Sequence, residues 1–98
     1  MTINKTATGS ALTLALEGRL DTTTAPQLEG ELKNSLSGVS DLVMDFEKLE
    51  YISSAGLRVL LAAQKQMNKQ GSMVLKNVCD DIKEVFDITG FADILTIE

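Results

Sequence analysis

Tyr51-Ile52-Ser53-Ser54-Ala55-Gly56-Leu57-Arg58-Val59-Leu60-Leu61 sets two adjacent hydroxyls and a glycine between a strand-like apolar run, Leu42 to Phe46, and a helix-like run from Leu57 to about Gln70. A junction of this kind presents its hydroxyls. Serine is a preferred N-cap because its side-chain oxygen accepts from the unpaired amides of the first helical turn. The same turn carries a partial positive charge and free N–H donors, so it favours a phosphate, bound or covalent. The stretch therefore admits two readings, a cap or a switch.

Working outward, Asp41-Leu42-Val43-Met44-Asp45-Phe46 is short and nearly continuously apolar, as expected of a central strand flanked on both sides. Glu47 to Tyr51 reads as the connection to the helix. Leu57, Leu60, Leu61, Ala63 and Met67 mark that helix's buried side and Gly71 its end, which leaves Ala55, Val59 and Ala62 off the inward stripe. Upstream, Ile3 to Thr8 and Ala11 to Gly18 flank Gly9-Ser10 as a hairpin, with Leu12, Leu14 and Leu16 on one face. Thr22 to Gln27 reads as a helix start: Thr24 and Gln27 have capping-box spacing and Pro26 falls in the first turn. Ala25, Leu28, Leu32 and Leu36 form its apolar stripe, and Gly38 stops it.

Downstream, Met73 to Leu75 is a short strand and Asn77 to Cys79 a turn, in which Cys79 reads as a small packing residue. Asp80-Asp81 caps a third helix with Ile82, Val85, Phe86 and Thr89 inward and Gly90 as its stop. Phe91 to Asp93 gives a helical turn and Ile94 to Ile97 a last strand. Met44, Met67 and Met73 read as core. Strand and helix alternate after the opening hairpin, so the expectation is an α/β chain forming one domain over residues 1–98, with a mixed sheet of about five strands and helices mainly on one face.

Composition removes whole classes of function. The net charge of −5, from 9 basic and 14 acidic residues, supplies no concentrated basic face for nucleic acid. No histidine and one cysteine leave zinc without ligands and a nucleophile without its usual base. No phosphate-cradling glycine loop is present either, so the expectation is a protein that is not an enzyme and needs no cofactor or metal. Val59 to Ala63 falls far short of the ~20 apolar residues that span a bilayer, and the amino terminus lacks a signal-peptide pattern, so a cytoplasmic location is expected. A monomer is the default.

Gly18-Arg19-Leu20-Asp21 with Thr23-Thr24-Ala25, then Leu42-Val43-Met44-Asp45-Phe46, then Tyr51-Ile52-Ser53-Ser54-Ala55-Gly56-Leu57 resemble the anti-sigma-factor antagonist family, whose module is the STAS domain. The match covers essentially the whole chain in the family's order. The resemblance implies a bacterial partner switch that controls transcription. The unmodified protein binds an anti-sigma factor that is also a serine kinase, phosphorylation of a serine at the second helix's start releases it, and a serine phosphatase reverses the change. Relatives with this fold instead act as unphosphorylated adaptors or small-ligand sensors in signalling or transport complexes, which is the alternative reading.

The family pattern places Asp, Ser, then Ser or Thr before Gly-Leu. Aligned on Gly56-Leu57, this chain has Ser53 where the acid falls, Ser54 at the first hydroxyl and Ala55 at the second. Ser54 is thus the aligned phosphoacceptor and Ser53 the second choice. The partner surface implied around it comprises Asp21, Thr22, Thr23, Ser53, Ser54, Ala55, Arg58, Val59 and Ala62. Asp45 is expected beside Asp21 at the same edge if their strands are neighbours.

Overall fold

Strand β1 (Thr2–Thr8) turns at Gly9-Ser10 into β2 (Ala11–Leu20), and the two pair antiparallel. The chain then alternates: helix α1 (Ala25–Ser35), strand β3 (Asp41–Ile52), helix α2 (Ser54–Gln70), strand β4 (Ser72–Lys76) and helix α3 (Asp80–Thr89). The computed structural model describes every residue from Met1 to Glu98. Strands stand side by side in chain order, β1-β2-β3-β4, with β3 parallel to both β2 and β4. Parallel neighbours need a crossover, and crossovers of one hand that step in one direction across a sheet lay their helices on the same face.

The side chains record which face that is. Leu12, Leu14, Leu16, Leu42, Met44, Phe46, Met73 and Leu75 are buried under the helices, while Thr13, Ala15, Val43, Asp45 and Val74 on the opposite face are only half-buried. Helix residues Leu28, Leu32, Leu57, Leu60, Met67, Ile82 and Phe86 complete one continuous core of 25 buried residues, Met44, Met67 and Met73 among them.

Several expectations change. The expected fifth strand, Ile94 to Ile97, shrinks to a single parallel bridge between Leu75 and Ile97 after a short 3-10 turn at Phe91–Asp93, so the sheet has four strands. Glu47 to Tyr51 is strand and not connection. The register of β2 on β3 slips by one residue between Ala15 and Glu17 and again between Gly18 and Arg19, with the extra residue in β3 each time. Such bulges break period-two alternation, so the buried positions run Phe46, Leu49, Ile52 and no longer look like a strand in the sequence.

The capping box at Thr24 does not form, and α1 ends at Ser35 before Gly38 is reached. Cys79, expected to pack, is exposed and occupies the N-cap position of α3, with Asp80 and Asp81 in the first turn. Thr89 is exposed and its hydroxyl closes the helix end by donating to the Val85 carbonyl at 2.7 Å.

Candidate functional site

The two serines at the start of α2 do different things. Ser53 is extended (φ −101°, ψ 174°), its N–H donates to the Leu20 carbonyl at 2.9 Å, and its Oγ accepts from the Gly56 N–H at 3.4 Å, a long and weak cap. Those contacts tie it to the end of β2 and to its own helix. Ser54 is the first residue of α2; its side chain is exposed and takes no part in the cap. The hydroxyl standing free in the first turn, where the helix field favours negative charge, is that of Ser54.

Gly56 is what brings this turn so close to the sheet. A Cβ there would lie 2.7 Å from Leu20 Cγ and 3.0 Å from Ile52 Cγ1, both on fully packed side chains. We expect Gly56→Ala to cost roughly 1–3 kcal/mol through overpacking and to lift the Ser53–Ser54 turn off the β2 end. Urea denaturation checks the first effect; a loss below about 0.5 kcal/mol would show the contact to be slack.

Asp21 builds the opposite lip of the site. Its Oδ1 accepts from the N–H groups of Thr23 (3.0 Å) and Thr24 (3.1 Å), and the Thr24 hydroxyl accepts from the Asp21 N–H at 2.9 Å while donating to the Arg19 carbonyl at 2.8 Å. The aspartate, one turn earlier than the expected threonine, therefore meets the free amides ahead of α1. The Thr24 amide bond holds its carboxyl below the usual carboxylate range, assisted by Thr23, the Thr24 hydroxyl and the Arg19 charge and opposed by partial desolvation. A depressed folded-state pKa gives stability that is present above the unfolded value, about 3.9, and is lost as pH falls through the folded one. The stability advantage of wild type over Asp21→Asn is thus expected at neutral pH and to close below about pH 4; urea midpoints across that range that leave the gap constant would contradict it.

The β2–α1 loop and the start of α2 enclose a shallow cleft of about 240 Å³ lined by Thr22, Ala25, Pro26, Glu29, Ala55, Arg58 and Val59. It brings Thr22 together with Ala55, Arg58 and Val59 of the residues named from sequence. Thr22 and Thr23 are exposed, as are Arg58 and Ala62, and Ala55 is half-buried. Arg58 makes no ion pair within the chain. Val59 corrects an expectation: it is only 6% exposed and belongs to the core, because α1 packs along that side of α2.

Asp45 is a second correction. Its strand is indeed next to that of Asp21, yet β3 continues for seven residues beyond it, roughly 23 Å at about 3.3 Å per residue. It faces the open side of the sheet, where Asn77 Nδ2 at 3.0 Å and the Glu47 N–H at 3.0 Å hold its carboxyl below the usual range. Sequence reasoning also missed Arg19 and Tyr51 at the site's edge, whose guanidinium carbon and ring centroid lie 4.2 Å apart. Only the doubled bulge makes them neighbours, so no sequence pattern announced them.

The model of the STAS domain family matches residues 2–98, and the chain belongs to that family. A Bordetella bronchiseptica protein provisionally named the anti-sigma factor antagonist BtrV is 41% identical over 88% of this chain and 76% of its own length. The anti-sigma-B factor antagonist of Bacillus subtilis is 34% identical over 84% of this chain and 76% of its own. Among solved structures, the anti-sigma factor antagonist SpoIIAA of Bacillus superposes in its unphosphorylated form with a TM-score of 0.78 (99% of this chain, 87% of that one) and in its phosphorylated form with 0.77 (99% and 91%), each at 19% identity. At that identity the superposition speaks for the fold. No helix of the chain is long and apolar enough to cross a membrane.

Proposed function

We propose that this chain is an anti-sigma factor antagonist that works as a phosphorylation-controlled partner switch, with Ser54 as the acceptor. The observation that carries the reading is the division of labour at the α2 N-terminus: Ser53 is held by Leu20 and Gly56, while Ser54 is exposed on the first turn. Unmodified, the protein binds an anti-sigma factor that is also a serine kinase and frees the sigma factor; phosphorylated, it lets go; a phosphatase restores it. The partner lies over Asp21, Thr22, Thr23 and the exposed side of α2 from Ser53 through Arg58 to Ala62. The names of the Bordetella and Bacillus relatives support the antagonist role, and the phosphorylated SpoIIAA form supports the modification.

A phosphoserine carries about 1.5–2 negative charges at neutral pH. At the first turn of a helix that charge is favoured by up to ~2 kcal/mol, so α2 keeps its shape. The effect falls on the interface: a dianion facing a surface with no pairing cation costs several kcal/mol in desolvation, and about 1.4 kcal/mol is tenfold in affinity. The protein binds and releases without catalysing a reaction, as a monomeric domain over residues 1–98 acting in the cytoplasm, with neither nucleic acid nor membrane as partner.

Incubation with the kinase and ATP followed by mass-spectrometric mapping tests the acceptor. Phosphate is expected on Ser54; modification on Ser53 or confined to another segment would overturn the assignment.

A further inference from the structure

We propose that Arg19, held against Tyr51, reads a carboxylate on the partner that docks over the start of α2; this rests on the partner-switch reading above. Past the second bulge the register sets Arg19 opposite Tyr51 across β2 and β3. The guanidinium carbon lies 4.2 Å from the ring centroid, and Nε lies 3.8 Å from Asp21 Oδ2. The arginine is thus braced on two sides, by a ring face and by a carboxylate whose other oxygen is taken up by the Thr23 and Thr24 amides. Its side chain is nevertheless 58% exposed, with the terminal nitrogens free of any intramolecular hydrogen bond.

A guanidinium that is fixed, exposed and unspent is arranged for a planar acceptor. Arginine's fork matches a carboxylate two bonds at a time, and a side chain already held in place loses less freedom on binding than a free one. Tyrosine and arginine are also the residue types that most often dominate interface energies. Leu20, between Arg19 and Asp21, accepts the Ser53 N–H at 2.9 Å, so the pair stands at the sheet end next to the proposed switch, at the rim of the surface that a partner over Asp21 and Ser54 would cover. Asp21 engages only Nε, at 3.8 Å, so the two terminal nitrogens stay available, and the group that matches them two bonds at a time is a carboxylate.

Calorimetric titration of the anti-sigma factor kinase with variants of the full chain, at low and high salt, tests this. Arg19→Gln is expected to bind about tenfold or more weakly at low salt, with the difference shrinking at high salt. Tyr51→Leu should weaken binding in the wild-type background and add nothing on top of Arg19→Gln, because Tyr51 acts by positioning the arginine, whereas Tyr51→Phe keeps the ring and binds as wild type. Neither side chain belongs to the core, so the variants are expected to fold, and a urea midpoint close to that of wild type checks it. Wild-type affinity in Arg19→Gln, or an equal cost of Tyr51→Leu in both backgrounds, overturns the inference. If Ser54→Asp still releases the kinase in that case, the partner switch stands without it; if wild type itself fails to bind the kinase, both fall.

Discussion

Ser54→Asp is expected to bind the anti-sigma factor kinase about 30-fold or more weakly than wild type, while Ser54→Ala binds as wild type does. The exposed hydroxyl makes no contact that alanine would lose, and alanine suits the first turn of a helix. Aspartate puts one full charge at the position where phosphate would put about 1.5–2, so it reproduces part of the penalty. The same charge sits favourably on the helix dipole, worth about 0.3–1 kcal/mol at an exposed position. Ser54→Asp should therefore be slightly more stable than wild type and yet a poorer binder. That opposition of signs separates interface repulsion from misfolding. Equal affinities of the two variants by calorimetry would remove the electrostatic account.

Gly71→Ala should be the most damaging single methyl in the chain. A Cβ at Gly71 would lie 1.8 Å from the Ser40 carbonyl oxygen and 2.5 Å from its carbon, a clash with backbone that no rotamer change relieves. The φ of 172° is open to any residue, so the requirement is for space. Relief means parting the end of α2 from the loop before β3 and breaking the Ser72 N–H bond to the Ser40 carbonyl, now 2.9 Å. We expect a loss of about 3 kcal/mol or more and a fall in Tm of roughly 10–20 °C. Gly30→Ala is the matched control: in the middle of α1 a Cβ meets nothing within 4 Å, and removing a helical glycine should stabilise by about 0.5–1 kcal/mol. Thermal melts that showed the two substitutions alike would contradict the packing described here.

Much of this architecture is written in short-range pattern. The Leu12, Leu14, Leu16 alternation, the three- and four-residue spacing of Ala25, Leu28 and Leu32, and the serine before Leu57 each gave the correct element, because one buried face imposes one period. What failed was whatever depends on register. The residues extra to β3 shift its buried face from Phe46 to Leu49 to Ile52, and a strand whose period is interrupted twice reads as a connection. That one error moved Asp45 to the wrong end of the sheet and hid the Arg19–Tyr51 stack.

Val59 was misjudged for a related reason. A helical wheel shows where one apolar stripe lies, whereas α2 is covered by the sheet on one side and by α1 on another, and only their relative placement buries Val59. At the site itself, the motif led to both serines and to Asp21. The geometry adds the distinction between a serine engaged in a cap and one left free, and it replaces a threonine cap by an Asp21 turn.

The most direct measurement is the affinity of the anti-sigma factor kinase for this protein before and after stoichiometric phosphorylation, with the phosphate mapped in the same sample. The switch predicts phosphate on Ser54 and binding weakened by about a hundredfold or more, restored by phosphatase treatment. Phosphate on Ser54 with unchanged affinity would contradict it.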